Sequence, residues 1–298
     1  MFKILGIDKE KCIKCEKCIQ SCSVELFSVE RTDDMEKKIH FADTYRFCFR
    51  CGHCISVCPT EAILYEGADE AFNFKEAKNP SLLLSYEDFM KFTRTRRSTR
   101  VFKNQQLSEE EITKILEAMR YSPSASNRQN RHYIVLSKEE DIAFLANKVS
   151  HLMVKARRYL KLKYLAVPFT SGLLRKRLLN PKTKVRLDDF FKKKSEGVDQ
   201  IFFNAPCVII IHAPSYSRMT ASDAGIAITH GMLAAHSMGL GTCWIGFAQE
   251  YLSRFKKGRK QIGVPRGHNV YGVFIVGHPE QEFLRAPPRR EIYLDWRK

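Results

Sequence analysis

The chain has 298 residues, 44% of them hydrophobic, and 50 Lys and Arg stand against 33 Asp and Glu for a formal charge of +17. That length favours two domains over one, and no run of about 20 apolar residues is available to cross a bilayer. The start at Met1 lacks the apolar run of a signal peptide, and eight of the ten cysteines sit at metal-ligand spacing, so disulfides are not expected and a cytoplasmic location is.

Residues 1–66 are dominated by two cysteine runs. Cys12, Cys15 and Cys18 are followed by Cys22; Cys48, Cys51 and Cys54 are followed by Cys58 and Pro59. Two-residue gaps let three thiolates of one tight loop reach three corners of a cuboidal cluster, while the fourth cysteine lies beyond the loop. Paired cysteines at this gap also suit zinc, although four cysteines within eleven positions, twice over, is unusual for it. His53 reads as a loop spacer. Residues 67–85 are rich in turn formers and read as a linker, and a domain at 86–298 follows. No internal repeat is evident.

Arg96 to Phe102 is a basic loop able to cradle a phosphate with guanidinium forks and hydroxyls. Ser108 with Glu111 forms a capping box, and Ile112, Ile115, Leu116 and Met119 recur at helical spacing, so a helix is expected to end before Pro123. Ser122 to Gln129 is a proline-started loop of hydroxyl and amide side chains. Tyr133–Leu136 reads as a strand. Residues 141–194 read as largely helical, interrupted at Pro168, Gly172 and Pro181. Within them, a basic insertion at 148–194 carries fifteen Lys and Arg against Asp188 and Asp189, so the charge excess is local. Val208–Ile211 and Val270–Val276 read as buried strands, and Ala224–Met238 as a helix stopped at Gly239. Cys207 and Cys243 read as small core residues. His230 and His236 read as packing or interface histidines, and His212 and His278 carry no assignment.

Residues 5–66 resemble bacterial two-cluster ferredoxins, down to Cys58-Pro59; Ser23 departs from the proline expected after the first run. The resemblance implies one [4Fe–4S] cluster on Cys12, Cys15, Cys18 and Cys58, and a second on Cys48, Cys51, Cys54 and Cys22. Beyond residue 90, the segments Arg96–Phe102, Ser122–Gln129 and Asp223–Gly246, in that order, resemble the nitroreductase family of FMN enzymes. This implies an α+β domain with a central mixed sheet flanked by helices. It also implies FMN contacts from Arg96, Arg97, Ser98 and Arg100, with Arg100 near the flavin N1–O2 edge. Pro123, Ser124, Ser126 and Asn127 match a loop that reaches the flavin from a second subunit. Trp244, Ile245 and Gly246 match the turn beside the ring, and Arg289 or Arg290 closes on the phosphate. Trp244 also stands where a dinucleotide fingerprint needs its third glycine, which excludes a Rossmann design.

The expected activity is therefore that of an oxidoreductase: electrons pass through two [4Fe–4S] clusters to FMN and on to a nitro compound, quinone or activated alkene. Flavin N5 does the chemistry, and no side chain is needed as a catalytic nucleophile. The competing readings are an electron-transfer protein relaying to a partner protein, and a reductive dehalogenase-like flavoenzyme. A homodimer is expected, with an acidic ferredoxin or flavodoxin, or NAD(P)H, as donor. The basic insertion reads as a helical lid or as a docking face for such an acidic donor. Nucleic acid is not an expected partner, since no recognition motif accompanies the charge.

Overall fold

Each cysteine run ends in the same small device: a left-handed residue, one short helix, and a cysteine whose N–H turns back on that helix. In this computed structural model, which describes residues 2–31, 37–69, 71–161, 172–215 and 218–297, the device occurs twice. Strand β1 (Lys3–Ile7) is followed by α1 (Lys17–Ser21), β2 (Phe27–Arg31) and β3 (Lys37–Phe41), and then by α2 (His53–Val57) and β4 (Ile63–Glu66). β1 pairs antiparallel with β4, from Lys3 opposite Glu66 to Ile7 opposite Ile63, and β2 pairs antiparallel with β3.

A shift of thirty-six positions superimposes the two halves in sequence. Cys12, Cys15, Cys18 and Cys22 become Cys48, Cys51, Cys54 and Cys58, and the backbone follows. Lys14 and Arg50 have φ 57° and 55°, and Glu25 and Glu61 both have φ 53°. The N–H groups of Cys22 and Cys58 donate to Ile19 and Ile55, each at 3.2 Å. The chain thus contains an internal repeat that inspection of the sequence did not pick out, because few residues beyond the cysteines match between the two copies.

These elements belong to a first compact unit, Met1–Tyr86 together with Ser124–Arg128. Its buried apolar side chains are few: Ile4, Phe27, Ile39, Ala62 and Ile63, with Cys54 among them. The segment 67–85, read as a linker, contains two 3-10 turns, Lys75–Lys78 and Pro80–Leu82, and falls within this unit.

The second unit, Glu87–Pro123 and Gln129–Lys298, is built around one sheet. After α3 (Tyr86–Thr95) come α4 (Glu109–Arg120), β5 (His132–Leu136), α5 (Glu139–Lys161), α6 (Gly172–Leu179), α7 (Pro181–Ser195) and β6 (Cys207–Pro214). Then follow α8 (Met219–Ser237), β7 (Gly241–Trp244), α9 (Gly246–Arg254), α10 (Lys256–Gln261) and β8 (His268–Gly277). The strand order is β5-β6-β8-β7 with antiparallel neighbours, and a parallel bridge from Ser98 to Thr242 makes the edge mixed.

β6 and β8 are buried on both faces, which is why they read as unbroken apolar runs. Strand alternation divides their side chains between two cores. Val208, Ile210, Val273 and Ile275 pack with Ile142, Leu145 and Val149 of α5 and with Ala248 and Leu252 of α9. Cys207, Ile209, Phe274 and Val276 pack with Ile112, Ile115 and Met119 of α4 and with Ala224, Ala227 and Ile228 of α8. Each of these buried Val, Leu, Ile, Phe and Met side chains contributes about 1.5–3 kcal/mol.

Ser108 caps α4 as its sequence predicts: its hydroxyl accepts from the Glu111 N–H at 3.1 Å, and Glu111 accepts from the Ser108 N–H at 2.8 Å. α8 starts five residues earlier than its composition suggested, at Met219 rather than Ala224, and stops at Gly239, whose φ of 75° favours glycine. The basic insertion lies partly outside the described residues, at 162–171. In the part described, Leu187 is buried, and Arg157 pairs with Asp188 at 3.5 Å and lies over the Phe191 ring. Lys192, Lys193 and Lys194 crowd the last turn of α7, where they favour its dipole. Among the described residues no helix is long and apolar enough to cross a membrane.

Candidate functional site

The thiols of the first unit fall into two sets of four. Cys12, Cys15, Cys18 and Cys58 line one cavity, along with Ile7, Ile39 and Ile63. Cys22 stands within electrostatic range of Cys48 and Cys54, and Cys51 completes that group. The fourth cysteine of each run therefore stands with the three of the other run. Backbone N–H groups aim at the sulfurs: Leu26 at Cys22 (3.4 Å), Arg50 at Cys48 (3.3 Å) and Ala62 at Cys58 (3.2 Å).

Burial is the main cause that raises the Cys18 and Cys48 thiols, with neighbouring thiols adding to it, and burial pushes Cys54 up to about 11. Cys58 goes the other way. Burial opposes its ionisation, but the N–H groups of Ala62 and Thr60 and the Thr60 hydroxyl together outweigh that and lower its pKa. Half-buried thiols that hold their protons against water suit a site where metal replaces the proton. Four thiols lining one cavity suit the corners of a cuboidal iron–sulfur cluster.

In the second unit the chain after α3 is laid along the edge strand β7. The Thr99 N–H donates to Thr242 at 2.9 Å, and the Lys103 N–H donates to His278 at 2.9 Å. This approach needs a glycine: a Cβ on Gly241 would come within 2.7 Å of the buried Thr99 side chain. The crossing holds Arg96 half-buried. Burial lowers its pKa, and the nearby guanidiniums of Arg97 and Arg289 lower it further, against a small opposing effect of Cys243. Among the described residues none of these three arginines is in an ion pair. A half-buried guanidinium with two more beside it and no paired carboxylate has the charge to take an anion, and planar guanidiniums match phosphate geometry. His236 sits at its border, accepting or donating at 2.8 Å to the Thr95 hydroxyl; burial, then Arg96, lowers its pKa and favours the neutral ring.

Other expected contacts are distributed as follows. Arg100 lies 5.9 Å from the centroid of Phe203, beside two residues of left-handed backbone, Phe203 and Asn204. Trp244 is 37% exposed at the end of β7, and its indole N–H donates to Gln249 at 2.6 Å. The Ile245 N–H donates to Val273 at 2.7 Å and its side chain is buried, while Gly246 opens α9. Arg290 is exposed in the irregular C-terminal segment. Pro123 stays with the second unit, its carbonyl accepting from the Arg131 guanidinium at 3.1 Å. Ser124, Ser126 and Asn127 belong to the first unit, where the Asn127 amide donates to the carbonyls of Arg50 (2.6 Å) and Phe49 (3.4 Å).

Several contributors went unread in the sequence. Thr99 and Gly241 had a local signal, a small residue at a strand edge; His236 was read as a packing or interface histidine. Three histidines far apart in the chain gave none. His132, His212 and His268 meet on β5, β6 and β8, with the His212 and His268 Nδ1 atoms 2.9 Å apart. Burial, then the two neighbouring rings, lowers His212 to about 4.

Comparison with known proteins bears on both units. The model of the Nitroreductase family matches residues 93–278, and that of the 4Fe-4S dicluster domain matches residues 6–65. A protein of Archaeoglobus fulgidus named as an NADH dehydrogenase/NAD(P)H nitroreductase is 29% identical over 211 residues, 68% of this chain and 93% of its own. A Bacteroides fragilis nitroreductase solved with bound FMN is 20% identical with a TM-score of 0.51, covering 70% of this chain and 98% of its own; it shares the fold. A Desulfitobacterium hafniense nitroreductase, also with bound FMN, is 24% identical over 69% of this chain and 97% of its own, with a TM-score of 0.49.

Proposed function

Because the chain belongs to the nitroreductase family and carries a 4Fe-4S dicluster domain ahead of that fold, we propose that it takes single electrons through two [4Fe–4S] clusters to FMN and passes them to an organic acceptor. A nitro compound, a quinone or an activated alkene is the acceptor class. The observation that carries this reading is the presence, in one chain, of two crossed sets of four thiols and a half-buried arginine group without a carboxylate. When bound, the clusters supply one-electron carriage and FMN supplies the exchange between single electrons and a two-electron reduction.

The chain's own residues bind and orient. Arg96, Arg97 and Arg289 would hold the phosphate of FMN. Ser98, fixed by its bridge to Thr242, would bind the ribityl chain, and Arg100 would offer positive charge to the pyrimidine edge, with Trp244, Ile245 and Gly246 as the residues beside the ring. No side chain acts as a nucleophile: Cys207 and Cys243 are buried in the core, and burial pushes the Cys207 thiol up to about 12. The name of the Archaeoglobus relative makes NAD(P)H a donor to try beside reduced ferredoxin or flavodoxin. The working assembly is a cytoplasmic homodimer.

Anaerobic purification with iron, sulfide and flavin analysis tests the reading. About eight irons and one FMN per chain are expected from two cuboidal clusters, with the clusters bleaching before the flavin in stopped-flow reduction by ferredoxin. Iron without flavin would leave a cluster-only carrier and end the proposal.

A further inference from the structure

We infer that Asn127 is a positioning residue for the second iron–sulfur cluster, holding the loop between Cys48 and Cys51 so that its N–H groups face the sulfurs. This rests on the reading that Cys22, Cys48, Cys51 and Cys54 hold a cluster. The resemblance that suggested a flavin contact for Asn127 does not explain what its side chain touches. Its carboxamide Nδ2 donates at 2.6 Å to the Arg50 carbonyl and at 3.4 Å to the Phe49 carbonyl, 77 and 78 positions away in sequence. Both oxygens lie in the tight loop that carries the ligands.

The geometry of a trans peptide gives this contact its consequence. In a planar trans unit the C=O and the following N–H point in opposite directions. The Phe49 carbonyl and the Arg50 N–H share one such unit: the oxygen faces Asn127, and the N–H donates to Cys48 Sγ at 3.3 Å. The Arg50 carbonyl shares the next unit with the Cys51 N–H, so the same donor orients that group too. Arg50 holds left-handed backbone, φ 55°, as its counterpart Lys14 does at 57°, so that conformation belongs to the cysteine loop and the Asn127 carboxamide is a clamp added on the second copy. Asn127 itself sits in left-handed backbone, with Ser126 at φ 51° and Asn127 at φ 48°.

Hydrogen bonds to the sulfurs are among the factors that set a cluster's reduction potential, since an N–H aimed at a thiolate stabilises the more negative, reduced form. Removing the Asn127 donor frees the Arg50 and Cys51 peptides to turn. The second cluster then becomes harder to reduce, while the first, whose loop Asn127 does not touch, stays as it was.

The test is an EPR-monitored redox titration of the anaerobic holoenzyme and of Asn127→Leu, which keeps the shape and removes the donor. The couple of the second cluster is identified as the one altered in Cys51→Ser. In Asn127→Leu that couple is expected to move to lower potential by about a tenfold change in the oxidised-to-reduced ratio, or about 59 mV for one electron, with the other couple unmoved. Asn127→Gln, which retains a carboxamide donor, is expected to restore part of the shift. Selective loss of the second cluster from Asn127→Leu, with the first intact, also supports the role. Two couples that both stay put, or that both shift or vanish together in Asn127→Leu and Asn127→Gln alike, overturn it. A wild-type protein without iron removes the underlying cluster reading and the inference with it.

Discussion

The two units of this chain solve the stability problem in opposite ways. The second buries a whole sheet: β6 and β8 contribute Ile209, Ile210, Ile211, Val273, Phe274 and Ile275 at full burial, and helices cover both faces. The first has a handful of buried apolar side chains and several left-handed backbones, and its half-buried cysteines pack against that small core. The cysteine-bearing part of that unit, residues 1–66, falls below the roughly 80 residues under which a hydrophobic core rarely suffices without staples or metal. One unit is held by displaced water, and the other is expected to lean on what its thiols bind.

Iron removal breaks that comparison most severely. Chelation under reducing conditions is expected to unfold the first unit while the second keeps its cooperative melt; circular dichroism with calorimetry reads both. A single melt unchanged by chelation would mean that apolar burial alone holds both units. Next in size, Ile209→Ala opens a cavity between β6, α4 and α8 and is expected to cost about 3 kcal/mol. Its thermal melt drops, whereas the cluster absorbance at room temperature does not.

Arg96→Ala sharpens the comparison within the second unit, because it removes a charge proposed to hold phosphate and no core volume. FMN affinity is expected to fall by about tenfold to a hundredfold, equivalent to roughly 1.5–3 kcal/mol for hydrogen bonds to a charged group. Fluorescence titration of the flavin measures it, and iron content stays level. The smallest effect is that of pH on the histidine trio. His212 titrates at about 4 in the folded protein, lowered first by burial and then by His268 and His132, against about 6.5 unfolded. The unfolded chain therefore takes the proton first. Stability is complete above pH 6.5 and falls as pH drops toward 4, by an amount on the order of 1–2 kcal/mol. His212→Gln should flatten that slope in a series of melts, and a slope equal to that of the wild type would dismiss the trio as its source.

What the sequence disclosed depended on how local the pattern was. The cysteine spacing, the Ser108–Glu111 cap and the doubly buried strands are all short-range signals, and each appeared within a few residues of its expected bounds. β1, β2 and β3 escaped because they are five-residue strands with few buried side chains and no clean alternation. The start of α8 escaped because Met219 to Asp223 mixes polar and apolar residues without a cap signal. The Asn127 clamp and the histidine trio join residues far apart in the chain, and only the folded backbone brings them together. The arginine group was half legible: the basic run was plain, but that Arg289 would stand beside Arg96 rested on family resemblance rather than on any property of the intervening residues.

The crossing of the fourth cysteines has a further consequence for how the protein is made. Neither thirty-six-residue half contains a complete set of four neighbouring thiols, since Cys22 stands with the second run and Cys58 with the first. A ribosome that has released only the first half has therefore released no finished nest. Once the second half arrives, closing one nest draws both halves together and preforms the other. Loading is then expected to be cooperative, with chains carrying both clusters or neither dominating under limited iron, so that a half-charged wire with a dead end is a rare product of synthesis.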